Sequence, residues 1–168
     1  MNKTVKTIIE YVLIIAVVIV IRIYLITPIQ VNGRSMESTL YNGDIMMLNI
    51  AGYHTSGLKR FDIVVINYQD EHIIKRVIGL PGEKIEYKDN KLYVNGKLTS
   101  DFIKADTSDF STYDLTENGV IPDGKYFVLG DNRTNSTDSR IIGLIDKADI
   151  MGKTNLILFP FRHFGIVK

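Results

Sequence analysis

A long apolar segment near the N-terminus constrains this chain more than any other feature. Residues 8–26 are almost wholly aliphatic or aromatic, with Glu10 and Arg22 as the charged interruptions. A helix over this range would be about 30 Å long, which matches the hydrocarbon core of a bilayer. The pattern therefore predicts a single transmembrane helix over 8–26, preceded by a short segment 1–7 and followed by a domain over 27–168.

The charges before the apolar segment predict its orientation. Lys3 and Lys6 precede it, and no acidic residue comes before Glu10. Because Lys and Arg are enriched on the cytoplasmic side of membrane spans, we expect a cytoplasmic N-terminus in the cell membrane and an extracytoplasmic domain. The alternative is a cleaved secretory signal, which has a shorter apolar region and a small-x-small cleavage site. Residues 27–31 contain no such pair, so the sequence favours a retained anchor.

Composition excludes several classes of function. The 20 Lys and Arg residues nearly balance the 19 Asp and Glu residues, so no strong field points to a nucleic-acid partner. The absence of Cys excludes thiol catalysis, disulfides and Cys-based metal sites. His54, His72 and His163 are scattered without ligand-like spacing. We therefore expect no metal and no cofactor, and we expect the chain to be monomeric.

From Pro28 onward the sequence pattern favours β-strands. Strand-length runs of β-branched or alternating residues occupy 62–68, 73–78, 84–88, 91–95, 125–129 and 155–159. Asp89 and Asn90 favour a two-residue hairpin turn between two of these runs. No segment of the domain carries a sustained 3.6-residue stripe. We therefore predict a mostly β domain, in which 84–124 is a hairpin and loop insertion with a polar stretch over 100–119.

Ser35 is a candidate nucleophile in the segment 33–40, which reads GRSMESTL. A serine hydroxyl needs a base to become a nucleophile, and an amine of lowered pKa can be that base. Gly33 permits backbone geometry that a bulkier residue would resist, as expected where amide groups must point at a developing oxyanion. By itself Ser35 is more simply an exposed turn serine, so its assignment depends on the two further motifs.

Lys75 is the candidate base, in the segment 73–82, which reads IIKRVIGLPG. In an extended strand its side chain shares a face with Ile73 and Val77, between two β-branched neighbours. Burial there would disfavour the ammonium and lower the pKa of the amine. An edge-strand lysine that prevents aggregation fits the residues equally well, and both interpretations stay open at this point. With the apolar segment, the two motifs suggest a Ser/Lys hydrolase at a membrane surface.

A polar cluster follows the predicted strand 125–129. Residues 130–140 read GDNRTNSTDSR and combine small hydrogen-bonding side chains with two Asp and two Arg residues. Such a loop beside a core strand could orient catalytic groups, because hydroxyl and carboxylate partners fix the position of an amine. The alternative is a solvated loop with surface ion pairs, which contribute little to stability.

In series, these motifs resemble the type I signal peptidase family, peptidase family S26, in its short Gram-positive-like form. After the N-terminal anchor the matching motifs are SMESTL at 35–40, GD at 43–44, DIVV at 62–65, KRVIGLPG at 75–82 and the block 130–140. The resemblance implies an all-β catalytic domain related to that of LexA-type peptidases. It also implies a membrane-anchored serine endopeptidase that cleaves N-terminal signal peptides from secreted preproteins at the outer face of the cytoplasmic membrane.

The resemblance further implies roles for individual residues. Ser35 would be the nucleophile and would donate its backbone N–H to the oxyanion, Lys75 would be the general base, and Ser136 would orient the Lys75 amine. The implied supporting pairs are Asp138 with Arg140, which would hold the Ser136 loop, and Arg76 with Asp131. The implied lining of the apolar pockets for small substrate side chains is Ile29, Val31 and Ile74.

Three positions depart from the family pattern. Ser38 stands where proline is usual, and Ile142 stands where an aromatic residue usually precedes glycine. Gly33 lacks the hydroxyl that joins the oxyanion hole in some relatives. None of these changes removes a reacting group. Two rivals remain: a self-cleaving Ser/Lys protease of the LexA-repressor type, which has no membrane anchor, and a catalytically inactive membrane-tethered β domain that binds peptides.

Overall fold

The apolar segment forms one helix, and the chain then enters the first strand. The computed structural model describes residues 2–24 and 26–167, so Met1, Leu25 and Lys168 of the predicted segments lie outside the described residues. Helix α1 spans Lys3–Tyr24, and strand β1 spans Ile26–Gln30.

The observed helix differs from the predicted range 8–26 at both ends. It begins earlier, since Lys6 already donates its backbone N–H to the carbonyl of Asn2 at 3.1 Å. At the other end, Ile26 belongs to the sheet. Pro28 explains this boundary, because a proline ring disfavours helical backbone at the residue before it. Within the described part of the chain, no helix is both long and apolar enough to cross a membrane.

Most strands, numbered along the chain, belong to one larger sheet. Its remaining members are β2 (Ile45–Asn49), β3 (Ile63–Tyr68), β4 (Glu71–Gly79), β9 (Lys125–Leu129), β10 (Ile145–Asp146), β11 (Ile150–Phe159) and β12 (Gly165–Ile166). The order of the eight strands is β1-β2-β11-β3-β4-β9-β10, with β12 paired to β11. The prediction of a mostly β fold is confirmed, although β1, β2, β10 and β12 were not predicted.

A smaller sheet lies within residues 84–124. Its four strands are β5 (Ile85–Lys88), β6 (Lys91–Val94), β7 (Lys97–Thr99) and β8 (Phe110–Ser111), in the order β7-β6-β5-β8. Asp89 and Asn90 both have positive φ, 49° and 61°, which suits a two-residue hairpin turn. The polar stretch 100–119 adds only the short β8 and one 3-10 turn, Thr112–Asp114.

Two short helices in the β domain are not visible in the sequence pattern. Helix α2 spans Ile50–Ser56 and helix α3 spans Ser139–Ile142. Both are too short to show a repeating apolar stripe. Each instead begins at a side-chain cap: the side-chain oxygen of Asn49 accepts from the backbone N–H of Gly52 at 2.6 Å, and a carboxylate oxygen of Asp138 accepts from the backbone N–H of Arg140 at 3.3 Å.

Three buried clusters form the core. The first packs the segment after β1 against β2, β3 and the start of β4, and it includes Met36, Leu40 and Ile74. The second lies among β3, β4, β9 and α2, and the third joins β4 and β9 to the smaller sheet. Because the segment after β1 and the start of β4 share the first cluster, Ser35 and Lys75 are carried to the same place.

Candidate active site

Ser35 lies in a tight turn that apolar side chains anchor. Met36 and Leu40 are buried in the first core cluster, while Ser35 stays partly exposed. Gly33 has a φ of 91°, a left-handed conformation that glycine adopts without strain. Its N–H donates to the side-chain oxygen of Asn42 at 2.9 Å. The turn therefore holds the Ser35 hydroxyl at the surface of a fixed backbone.

Strand β4 brings Lys75 to Ser35. Lys75 pairs with Val64 of β3 and is only 3% exposed, which excludes the alternative of a solvated edge lysine. Its Nζ lies 2.7 Å from the Oγ of Ser35. Burial lowers the pKa of Lys75 to about 8, although the carboxylates of Asp138 and Asp131 act in the opposite direction. The amine is therefore at hydrogen-bond distance from the hydroxyl and is easier to deprotonate than an ordinary lysine.

The charged side chains of the polar cluster 130–140 are buried or partly buried, so the cluster is not simply a solvated loop. Arg76 binds both carboxylate oxygens of Asp131, at 2.7 and 2.6 Å, and both side chains are fully buried. Asp138 is also buried, and it accepts from the backbone N–H of Gly130 and from the guanidinium of Arg140. Bidentate charge-assisted pairs of this kind restrain geometry as well as adding energy. The loop is thus held rigidly at the end of β9.

Ser136 lies beside the backbone of Ser35, but no hydrogen bond joins it to Lys75. Its Oγ is buried and has no hydrogen-bond partner among the described residues. A Cβ added to Gly130 would clash with this oxygen and with the carbonyl oxygen of Ser35, so glycine is needed for the close approach. A buried hydroxyl without a partner calls for an explanation. The orienting role of Ser136 stays a prediction.

Asn132 makes contacts that the sequence did not predict. Its backbone N–H donates to the carbonyl of Ser35 at 3.0 Å, and its side-chain amide donates to the carbonyl of Arg34 at 3.1 Å. The composition of the cluster 130–140 marks the loop as important. Nothing in the local pattern indicates that a residue 98 positions after Arg34 binds it.

Arg133 joins the same loop to the smaller sheet. Its guanidinium, buried like that of Arg76, lies 2.8 Å from a carboxylate oxygen of Asp101. It also donates at 3.1 Å to the hydroxyl groups of Tyr87 and Thr107. The sequence singled out the loop but not these partners, which belong to the stretch predicted to be an insertion. The insertion therefore packs directly against the loop that carries Ser136.

A groove lies between β1 and β4, the strand that carries Lys75. Its volume is about 490 Å³, and it is lined by Pro28, Ile29, Gln30, Asn32, Glu71, His72 and Ile73. Strand β1 is at the edge of the sheet, and β9 pairs with β4 only from Arg76 onward. Both strands therefore keep backbone groups that sheet pairing does not use. Of the predicted pocket residues, Ile29 lines this groove, whereas Val31 and Ile74 are buried in the first core cluster, against which Ile29 packs.

The site brings together groups that suit acyl chemistry. They are a hydroxyl, an amine of lowered pKa and the backbone N–H of Ser35, for which the described residues provide no acceptor. Such a set can attack a carbonyl carbon and stabilise the resulting oxyanion. Across residues 2–24 and 26–167, no group of three or more acidic or histidine side chains is placed to hold a metal ion.

Comparison with known proteins agrees with this chemistry. Residues 4–159 match the family model described as signal peptidase, peptidase S26. Signal peptidase IB of Staphylococcus aureus (strain COL) is 42% identical over 182 aligned positions, which cover 95% of this chain and 93% of that protein. Signal peptidase I of Bacillus amyloliquefaciens is 42% identical over 165 positions, with coverage of 93% and 89%.

A solved structure is similar as well. The crystal structure of a signal peptidase I from Enterococcus faecalis V583 matches with a TM-score of 0.52 at 38% identity, covering 57% of this chain and 95% of that one. The family model extends over most of the chain, and the relatives match it at nearly full length. The chain therefore belongs to the signal peptidase family, peptidase S26.

Proposed function

We propose that this chain is a serine endopeptidase that removes N-terminal signal peptides from secreted preproteins through a Ser35/Lys75 dyad. The observation that carries the proposal is the 2.7 Å contact between the buried Lys75 amine and the Ser35 hydroxyl. A hydroxyl at hydrogen-bond distance from an amine of lowered pKa is the arrangement that nucleophilic catalysis requires. Family membership supports the substrate class.

The geometry suggests how the reaction proceeds. With a pKa of about 8, about one Lys75 amine in ten is neutral at pH 7. The neutral amine takes the proton of Ser35 Oγ as this oxygen bonds to the scissile carbonyl carbon, and the oxyanion accepts from the Ser35 N–H. The ammonium of Lys75 then protonates the leaving nitrogen as the C–N bond breaks. Water that gives a proton to Lys75 then attacks the ester carbonyl, and Lys75 returns that proton to Ser35 Oγ as the acyl C–O bond breaks, which frees the carboxylic acid and restores Ser35.

The groove between β1 and β4 is the proposed binding place of the signal peptide. Free backbone groups on both strands allow an extended peptide to be added as a further strand. Because successive side chains of a strand point in opposite directions, alternate substrate residues would face the apolar cluster that contains Ile29, Val31 and Ile74. Contacts between substrate side chains and the surface of this cluster would leave little depth, and they would therefore favour small side chains near the cleaved bond.

We propose that Ser136 orients the Lys75 amine when the proton is transferred. Its buried, unpartnered Oγ next to the Ser35 backbone supports this role. The pairs Asp138–Arg140 and Arg76–Asp131 would keep the loop in place. In this proposal Ser35 and Lys75 react with the substrate, and the loop 130–140 keeps Ser136 in position beside them.

We propose that the chain acts at the outer face of the cytoplasmic membrane, with the apolar segment 8–26 as its single-pass anchor and its N-terminus in the cytoplasm. The aliphatic side chains of α1 between 8 and 19 are exposed, and Lys3 and Lys6 precede them. Alkaline carbonate extraction of membranes that contain the full chain tests this placement. Retention in the pellet is expected, and release into the supernatant would contradict it.

The outer face of the large sheet supports the same placement. Paired residues on four adjacent strands, Pro28, Met47, Leu156 and Ile166, form an apolar row on the face opposite the core. Phe161 and Phe164, which lie between β11 and β12 in the chain, are 81% and 60% exposed. Exposed apolar side chains that cluster on a surface mark interaction sites, and this row includes Pro28 of the strand that follows α1.

Cleavage of a preprotein by the purified full chain in detergent tests the proposed activity. The wild-type chain should release the signal peptide at one site that follows small residues, and Ser35→Ala should bind the same preprotein without cutting it. This pair of proteins also distinguishes cleavage from mere peptide binding. An intact preprotein with the folded wild-type chain, or equal cleavage by Ser35→Ala, would refute the proposal.

A further inference from the structure

We infer that Asn132 is a positioning residue for the oxyanion donor, because it holds both peptide groups that flank Ser35. The inference rests on the proposed function, in which the Ser35 N–H stabilises the oxyanion. Asn132 does not touch the reacting atoms. It acts on them through the backbone of Arg34 and Ser35, which its side chain and its backbone N–H bind respectively.

The side chain of Asn132 controls the direction of the Ser35 N–H. The Arg34 carbonyl and the Ser35 N–H belong to one planar trans peptide, so they point in opposite directions, and fixing one fixes the other. The Arg34 oxygen accepts from the Asn132 amide at 3.1 Å and from the backbone N–H of Glu37 at 3.2 Å. The Glu37 bond lies within the turn, whereas the Asn132 bond ties the peptide to the loop that carries Ser136.

The backbone of Asn132 controls the next peptide. Its N–H donates to the Ser35 carbonyl at 3.0 Å. Asn132 is itself held, because its carbonyl accepts from the backbone N–H of Asn135 at 3.0 Å and its side-chain oxygen accepts from the hydroxyl of Thr134 at 3.4 Å. The two peptide groups around the nucleophile are thus fixed from one residue of a rigid loop.

Small changes of orientation matter at this position. An oxyanion donor must lie about 2.7–3.1 Å from the oxyanion, and complete loss of one donor lowers kcat by about 10²–10³-fold. Losing the Asn132 side-chain amide leaves the Ser35 N–H in place, but the peptide group that carries it is then held by one hydrogen bond fewer. The expected loss is therefore smaller, about 10-fold to 100-fold in kcat. The base is unaffected, so the pH dependence should not move.

The kinetic test compares substitutions in the full chain in detergent, with a signal-peptide reporter as substrate. Asn132→Asp keeps the shape but removes the side-chain donor, and Asn132→Ala removes it without adding charge. Asn135→Asp is the matched control, because it makes the same chemical change on an exposed side chain of the same loop. We expect kcat to fall about 10-fold to 100-fold in both Asn132 variants, with KM within about twofold. For Asn132→Ala the apparent pKa of kcat/KM should equal that of wild type, and Asn135→Asp should stay within about twofold of wild-type kcat.

A second measurement does not depend on cleavage. In full chain labelled with ¹⁵N-serine, the Ser35 amide resonance, identified by its loss in Ser35→Ala, should shift in both Asn132 variants and not in Asn135→Asp. Wild-type kcat in Asn132→Ala, an effect confined to KM, or an unmoved Ser35 resonance would each overturn the inference. If the wild-type chain cut no signal peptide, the proposed function would fail, and the resonance alone would decide whether Asn132 orients this peptide.

Discussion

The Nζ of Lys75 and the Oγ of Ser35 lie 2.7 Å apart although the residues are 40 positions apart in the chain. Their neighbours explain the contact, because Met36, which follows Ser35, and Ile74, which precedes Lys75, are buried in the same core cluster. The burial of these two side chains sets the separation of the reacting groups. The contact between Ser35 and Lys75 therefore depends on the core as much as on the two side chains themselves.

Replacement of Lys75 tests its role as base. Lys75→Arg keeps a cation but should reduce cleavage to background, since a guanidinium stays protonated and cannot accept the Ser35 proton. Lys75→Ala should behave in the same way. Cleavage of a preprotein is measured beside circular dichroism as the control for folding. Appreciable turnover by either folded variant would show that another group is the base.

Burial of Lys75 should also be visible in stability. The unfolded chain holds the proton up to a pKa of 10.5 and the folded chain only up to about 8, so wild-type stability rises as the pH increases between these values. Lys75→Met removes this dependence. Below pH 8 we expect the free energy of unfolding of Lys75→Met to exceed that of wild type by up to about 3 kcal/mol.

Thermal unfolding of the full chain in detergent measures this difference. The gap in Tm between Lys75→Met and wild type should narrow as the pH rises towards 10.5. A constant gap, or a variant less stable than wild type at pH 6, would mean that the folded pKa of Lys75 is not lowered.

Ser136→Ala tests the proposed partner of the amine. We expect the cleavage rate to fall by a factor of about ten to several hundred, because one orienting contact is lost while the base remains. Ser136→Thr keeps the hydroxyl and should retain more activity than alanine. Asn135→Ala is a suitable control, whereas Ser139→Ala is not, since the buried Ser139 hydroxyl accepts from the backbone N–H of Val128 at 2.9 Å. A wild-type rate for Ser136→Ala would remove Ser136 from the site.

The buried pair Arg76–Asp131 should matter far more for stability than an exposed pair. Arg76→Met leaves the Asp131 carboxylate buried without its partner, which costs about 3–5 kcal/mol. Lys125→Met is the matched control, because the Lys125–Asp146 pair has side chains 36% and 55% exposed and should contribute less than about 1 kcal/mol. Denaturant unfolding measures both. Equal costs would mean that burial does not set the strength of the pair.

Elements with a local signature could be predicted from the sequence. The hairpin of β5 and β6 shows both alternation and the turn residues Asp89 and Asn90, and it forms at the expected place. Strand β1 could not be separated from the apolar segment, since Ile26 and Ile29 look like a continuation of it. Helix α2 is too short for its periodicity to be recognised.

The residues of the site likewise divide into those with a local sequence signature and those whose role depends on distant partners. Ser35 and Lys75 stand in local motifs that indicate their chemistry, and the structure brings them together. Asn132 and Arg133 lie in an equally visible motif, but their partners come from other parts of the chain. Long-range contacts of this kind depend on how sheets and loops pack, which periodicity does not encode. The motif likewise could not predict that Ser136 makes no hydrogen bond to Lys75.

The pH dependence of kcat/KM for a signal-peptide reporter tests the dyad most directly. We expect a rising limb with an apparent pKa of about 8, the pKa of Lys75 in the enzyme without bound substrate, and the same limb after His54, His72 and His163 are replaced together. A limb near pH 6.5 that disappears in the triple histidine variant would assign the base to histidine and contradict the account.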